Sequence, residues 1–138
     1  EASVLTVLAL EELGIPEIWA KAMTKNHGRI LERTGAHHVI FPEAAMGERV
    51  AHLATGRMID FIELEDGYAI AKTRTPEKFH GQTIAQAELR SRYGITVVGI
   101  KHPKEDVIHA KLETVLDKKS LMIVSGPTLQ VERFAAMQ

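Results

Sequence analysis

The hydrophobic positions of the first third of the chain alternate between helical and strand periods. Val4, Leu5, Val7, Leu8 and Leu10 recur at helical spacing, with Ser3 a candidate N-cap and Gly14 a candidate stop. Residues 17–23 (EIWAKAM) form a short apolar run behind Pro16, the pattern of a buried strand. Asn26 can cap a second helix whose inner side carries Ile30, Leu31 and Thr34 and which Gly35 ends. Residues 37–41 (HHVIF) read as a second strand closed by Pro42. A third helix follows, with Met46, Val50 and Leu53 on one face and Gly56 at its end. Helices and strands joined this tightly are the rhythm of βαβ units, whose strands run parallel and are expected to be covered on both faces.

Around Gly56 and Arg57 the period changes. Residues 58–65 (MIDFIELE) alternate as a half-exposed strand does, Asp66-Gly67 is a hairpin signal, and residues 68–73 answer as the partner strand. Residues 75–81 form a loop punctuated by Pro76, and residues 83–93 read as one helix stopped by Gly94. Residues 95–101 and 120–124 are strands, with a weaker one near 107–109, and Gly126-Pro127 opens a last helix. Strands outnumber helices here and the short connections favour antiparallel pairing, an α+β arrangement. The predicted organisation is therefore α/β: residues 1–56 are half of a nucleotide-binding type of sheet, and residues 57–138 are a small α+β module.

Composition narrows the class without choosing a function. The 138 residues hold seventeen Lys and Arg against eighteen Asp and Glu, a formal net charge of −1, which gives no basic surplus for nucleic acid. No cysteine is present, so disulfides, thiolate nucleophiles and cysteine zinc sites are excluded, and a reducing cytoplasm suits the chain. The longest charge-free runs, residues 2–10 and 34–42, are about half of the ~20 residues a membrane span needs. Glu1 is not an initiator, so the sequence is expected to start within a longer protein.

Candidate chemistry gathers at the strand ends. Ligands on parallel sheets bind outside the carboxyl ends of the strands. Lys21 sits in a strand whose apolar surroundings make a buried ammonium costly. It either emerges in that crevice to meet a phosphate or carboxylate, or snorkels from an edge strand to solvent. Glu43 follows the second strand and opens the next helix. It either complements the helix dipole or faces a ligand or a divalent cation. His27 stands in the first turn after the Lys21 strand. His37 and His38, adjacent in a strand, point to opposite faces, and Glu48 with His52 reads as a surface pair rather than a metal site. Glu88, Arg90 and Arg92 interleave with Leu89 as a charged stripe or an interface anchor. No glycine-rich dinucleotide loop, phosphate-binding lysine motif or nucleophile elbow occurs, so catalysis has no support in the residues.

The runs 3–51 (SVLTVLALEELGIPEIWAKAMTKNHGRILERTGAHHVIFPEAAMGERVA), 58–72 (MIDFIELEDGYAIAK), 81–102 (GQTIAQAELRSRYGITVVGIKH) and 118–126 (KKSLMIVSG) resemble the RCK, or regulator of K⁺ conductance, family. The resemblance is to its KtrA/TrkA-type regulatory subunits of bacterial K⁺ uptake systems. It implies a Rossmann-like subdomain binding ATP, ADP or NAD(H), represented here by its distal half, and a C-terminal α+β subdomain. It further implies a non-catalytic, cytoplasmic subunit that forms homodimers and an octameric ring. Such a ring sits beneath a membrane K⁺-translocating subunit (KtrB/TrkH-like), peripheral to the membrane, and nucleotide exchange gates the pore. Lys21 would contact nucleotide phosphates, and Glu43 would face the γ-phosphate region, where a divalent cation binds; His27 borders the same crevice. In the second subdomain, Ile84, Ala85, Glu88, Leu89, Arg90, Thr96 and Val97 would line a cyclic di-AMP pocket across a dimer interface. The alternatives are a distal fragment of a nicotinamide-dependent oxidoreductase, with His27 its only candidate acid or base, and a stand-alone cyclic di-AMP sensor.

Overall fold

A computed structural model describes residues 2–64 and 67–137. The chain divides into two compact units between Glu48 and Arg49, within the third helix. The change of sequence period at residues 55–57 marks instead where that helix gives way to the second unit's sheet.

The first unit is built from α1 (Ala2–Glu12), β1 (Trp19–Lys21), α2 (Lys25–Thr34), β2 (His38–Ile40) and the start of α3 (Pro42–Ala54). β1 and β2 pair in parallel, Trp19 against His38 and Lys21 against Ile40. Val7, Ile18, Ala20, Ala22, Leu31 and Ala36 form its core. α2 must approach β2 closely for this: a Cβ on Gly28 would lie 2.6 Å from Phe41 Cζ. Only one face of the strand pair is buried. Ala20 points inward, whereas Trp19 is 61 % exposed and Lys21, His38 and Ile40 also face outward. The expectation of strands covered on both faces is thus corrected, because the described helices pack on one side alone.

Two caps also differ from expectation. Ser3 lies inside α1, its hydroxyl 2.9 Å from His27 Nε2. Thr24, not Asn26, caps α2 by accepting from the His27 N–H at 3.1 Å, which leaves Asn26 within the helix. Leu31 is buried as expected, but Ile30 is half exposed. Met46 and Val50, expected to share one face of α3, are exposed too.

The second unit is a five-stranded sheet of order β3-β4-β7-β5-β6, every neighbouring pair antiparallel. Its strands are β3 (Met58–Leu64), β4 (Tyr68–Arg74), β5 (Thr96–Lys101), β6 (Val107–His109) and β7 (Leu121–Pro127). Asp66, half of the expected turn pair, lies outside the described residues; Gly67 takes a φ of +69° and Leu64 pairs with Tyr68 across the hairpin. The helices are α4 (Ile84–Ala87), α5 (Leu89–Tyr93) and α6 (Thr128–Ala135), with a 3₁₀ turn at Glu77–Phe79. Inward-facing Ala69, Ala71, Ile100, Met122 and Val124 pack against Ala87, Leu89, Val131 and Phe134 of those helices. On the opposite face Ile62, Tyr68 and Val98 stay open to solvent.

The single helix expected over residues 83–93 is two. A capping box starts the first, with Thr83 Oγ1 accepting from Gln86 N–H and the Gln86 side chain accepting from Thr83 N–H. Glu88 then adopts φ 47°, ψ 39°, a left-handed conformation that no residue of the sequence signals, and α5 restarts at Leu89. Gly94 ends α5 at φ +68°, and the Gln130 side chain occupies the space a Cβ there would need.

Candidate functional site

In the first unit, both chemistry-bearing strand ends deliver their residues to one place. Lys21 ends β1; Phe41 and Pro42 turn the chain from β2 into α3, whose first turn carries Glu43. Lys21 Nζ and the Glu43 carboxylate form an ion pair, each side chain about half exposed. The Lys21 ammonium and the backbone N–H at the helix start hold the Glu43 carboxyl below its ordinary range. The two candidates therefore occupy each other. A phosphate would have to draw Lys21 away from Glu43, and a cation would have to draw Glu43 away from Lys21.

His27 is employed locally. Met23 N–H approaches its Nδ1 at 3.4 Å while Ser3 Oγ lies 2.9 Å from Nε2, which closes the turn between β1 and α2 against α1. Its ring also borders an apolar hollow of about 550 Å³ shared with Val4, Leu5 and Ile30. His37 and His38 face opposite ways. His37 Nδ1 accepts from Ile18 N–H at 3.1 Å, whereas His38 stacks on Trp19 with centroids 4.2 Å apart. Glu48 and His52 make no pair; in the second unit His52 stacks on Phe61 and lies 3.3 Å from a Glu132 carboxylate oxygen.

The second unit holds a cavity of about 630 Å³. Ile84 and Ala85 come from α4, Glu88 from the break, Leu89 and Arg90 from α5, and Thr96 and Val97 from the start of β5; all seven line it. The break at Glu88 is what permits this grouping. On one continuous helix Ile84 and Arg90 would point about 120° apart; the left-handed residue re-aims α5 so that both meet the same space. Leu89 is buried beneath the wall, while Arg90 is exposed and has no carboxylate partner among the described residues. A mostly apolar wall with one free guanidinium suits a ligand that combines a flat apolar body with an anionic group.

Ser91 and Ile95 add to the wall between those residues, and Ala110, Lys111 and Leu112, which no sequence reading marked, complete it. The segment after β6 turns back along α4, where Leu112 O accepts from Ala85 N–H and Thr114 O from Ile84 N–H, each at 3.0 Å. Those bonds satisfy donors at the helix start that would otherwise need other partners. Among the described residues no group of three or more His, Asp or Glu side chains is placed to hold a metal ion. No helix among them is long and apolar enough to cross a membrane.

Comparison with known proteins adds a lineage to this geometry. The model of the TrkA-C domain family matches residues 70–138. The Ktr system potassium uptake protein C of Bacillus subtilis (strain 168) is 32% identical over 135 residues, which cover 97% of this chain and 61% of that protein. The Ktr system potassium uptake protein A of the same organism is 33% identical over 135 residues, with the same two coverages. The chain thus spans about three fifths of the length of these relatives. Among solved structures, the crystal structure of the GsuK RCK domain aligns with a TM-score of 0.54 at 22% identity, covering 99% of this chain and 30% of that one, a likeness of fold.

Proposed function

Because the chain belongs to the TrkA-C domain family, within the RCK proteins of KtrA type, we propose that it is part of a regulatory subunit of K⁺ transport. In this reading the intact protein senses a nucleotide and gates a membrane K⁺-translocating partner (KtrB/TrkH-like) through the shape of a homo-oligomeric ring. The observation that carries the reading is the cavity of the second unit, where Ile84 and Arg90 share a wall. Its ligand is cyclic di-AMP, held between two copies, with Arg90 against a phosphate and the apolar wall under an adenine. Lys21 and Glu43 serve the other ligand, ATP, ADP or NAD(H). Phosphates displace Glu43 from Lys21, and the released carboxylate turns to a divalent cation. His27 supports that crevice by fixing the turn before α2. Coupling follows if each ligand prefers one arrangement of the assembled subunits.

A thermal-shift and calorimetry panel of ATP, ADP, NADH and cyclic di-AMP tests this on the chain and on a longer form of the protein. A ligand at a hundred times its dissociation constant stabilises by about 2.7 kcal/mol. The expected result is stabilisation by cyclic di-AMP that Arg90→Ala abolishes, and stabilisation of the longer form by one of the other three that Lys21→Gln weakens. If none of the four shifts either form, the sensing role is refuted.

A further inference from the structure

We propose that the groove between the C-terminal ends of α5 and α6 is a second anion site, taking a small oxyanion of the phosphate class on Arg92 and Arg133. The groove measures about 360 Å³ and is walled by Arg92, Tyr93, Gln130, Arg133, Phe134 and Met137. It is separate from the Arg90 cavity, with which it shares only Ser91. Among the described residues no carboxylate lines it and neither arginine has an ion pair. Arg92 lies over the Tyr93 ring, 5.8 Å from its centroid. At the edge stands Lys78, whose ammonium donates to Tyr93 Oη at 3.1 Å and lies 3.1 Å from Met137 Sδ, with no carboxylate partner among the described residues.

Helix dipoles account for part of this charge. A helix C-terminus offers roughly half a negative charge, so two of them match about one cation, and α5 is short. Three cations stand here, in a chain whose formal net charge is −1. The surplus is local, and among the described residues no carboxylate is paired with it. Tyr93 adds a further donor: its oxygen already accepts from Lys78, so its own hydrogen points onward. Two guanidinium forks and a phenol line the groove, with an ammonium beside the phenol, and together they ask for more acceptor oxygens than the two of a carboxylate. A phosphate dianion supplies them. Phe134 and Met137 give the groove an apolar floor that strengthens charge pairing above it.

Tyr93 reports on the site. The Lys78 ammonium now holds its phenol below the usual range, and a bound dianion would push it upward. Tyr68→Phe leaves Tyr93 as the sole tyrosine, so its ionisation can be followed by phenolate absorbance. Inorganic phosphate is titrated against chloride and against succinate at matched ionic strength. Phosphate is expected to raise the Tyr93 midpoint saturably by roughly half a unit or more. Arg92→Gln with Arg133→Gln is expected to remove the shift while leaving the circular dichroism spectrum unchanged. Equal midpoints in phosphate and chloride overturn the proposal, with or without a folded double variant. A shift that survives in the folded double variant overturns it too. An equal response to succinate refutes the phosphate class in favour of a carboxylate.

Discussion

Replacing Glu88 by glycine should make the second unit more stable, although the change deletes a charged side chain. Glu88 holds φ 47° between two short helices. A left-handed conformation costs an L-residue roughly 1–2 kcal/mol. Glycine has no such cost, but its freer unfolded chain returns about 0.5–1 kcal/mol of that gain. The net expectation for Glu88→Gly is a stabilisation of about 0.5–1 kcal/mol. For a unit of this size that corresponds to a rise of several degrees, since 1 kcal/mol moves the midpoint about 4–8 °C. Glu88→Ala is the control: it removes the carboxylate yet keeps the left-handed cost, so it should gain nothing. Urea denaturation followed by far-ultraviolet dichroism reads all three proteins, with equal m-values required for comparison. A glycine variant no more stable than the alanine variant would refute the idea that Glu88 is strained. The same glycine should loosen the wall that presents Ile84 and Arg90 together, so ligand affinity should fall as stability rises.

Gly94→Ala meets both a positive φ and the Gln130 side chain, and should destabilise by about 1–3 kcal/mol in the same denaturation assay. Adding Gln130→Ala should recover the steric part but not the backbone part. Arg49 donates to Asp60 Oδ1 at 3.0 and 2.5 Å, and this bond is the main reason the Asp60 carboxyl is held below its usual range. Its stabilising effect is complete above the unfolded-state value near 4 and fades as pH falls through the lower folded value. Both side chains are about two-fifths exposed, so Arg49→Gln should cost only about 0.2–1 kcal/mol at neutral pH, with the difference vanishing in acid. Lys21→Gln frees Glu43, whose carboxyl should then titrate at a higher pH when followed by carbon-detected NMR.

Where sequence and structure part company, the reasons are physical. Gly35 and Gly94 announced helix ends because left-handed backbone favours glycine, and both occupy it. That Lys21 and Glu43 edge one crevice was readable in outline, since Lys21 ends β1, Glu43 opens the helix after β2, and the two strands pair in parallel. Glu88 left no trace because its conformation is imposed by packing on both sides, with Ala87 and Leu89 buried around it. Residues 110–112 were equally silent. Their segment is held along α4 by the Leu112 and Thr114 carbonyls, which accept from Ala85 and Ile84 N–H, and backbone groups carry no residue signature. Ser3 looked like a cap by type, yet the helix begins before it and its hydroxyl serves His27 instead.

The pairing of β4 with β7 has a consequence for how the second unit folds. Its register joins Tyr68–Arg74 to Leu121–Pro127, so every residue lining the Arg90 cavity belongs to the stretch closed between those two strands. The entropy of closing that stretch must be met before contacts between β4 and β7 form. The β3–β4 hairpin, by contrast, is local and can form within microseconds. The cavity is then among the last features to be assembled. Substitutions in its wall should speed unfolding while leaving the refolding rate nearly unchanged, and those along β4 and β7 should slow refolding.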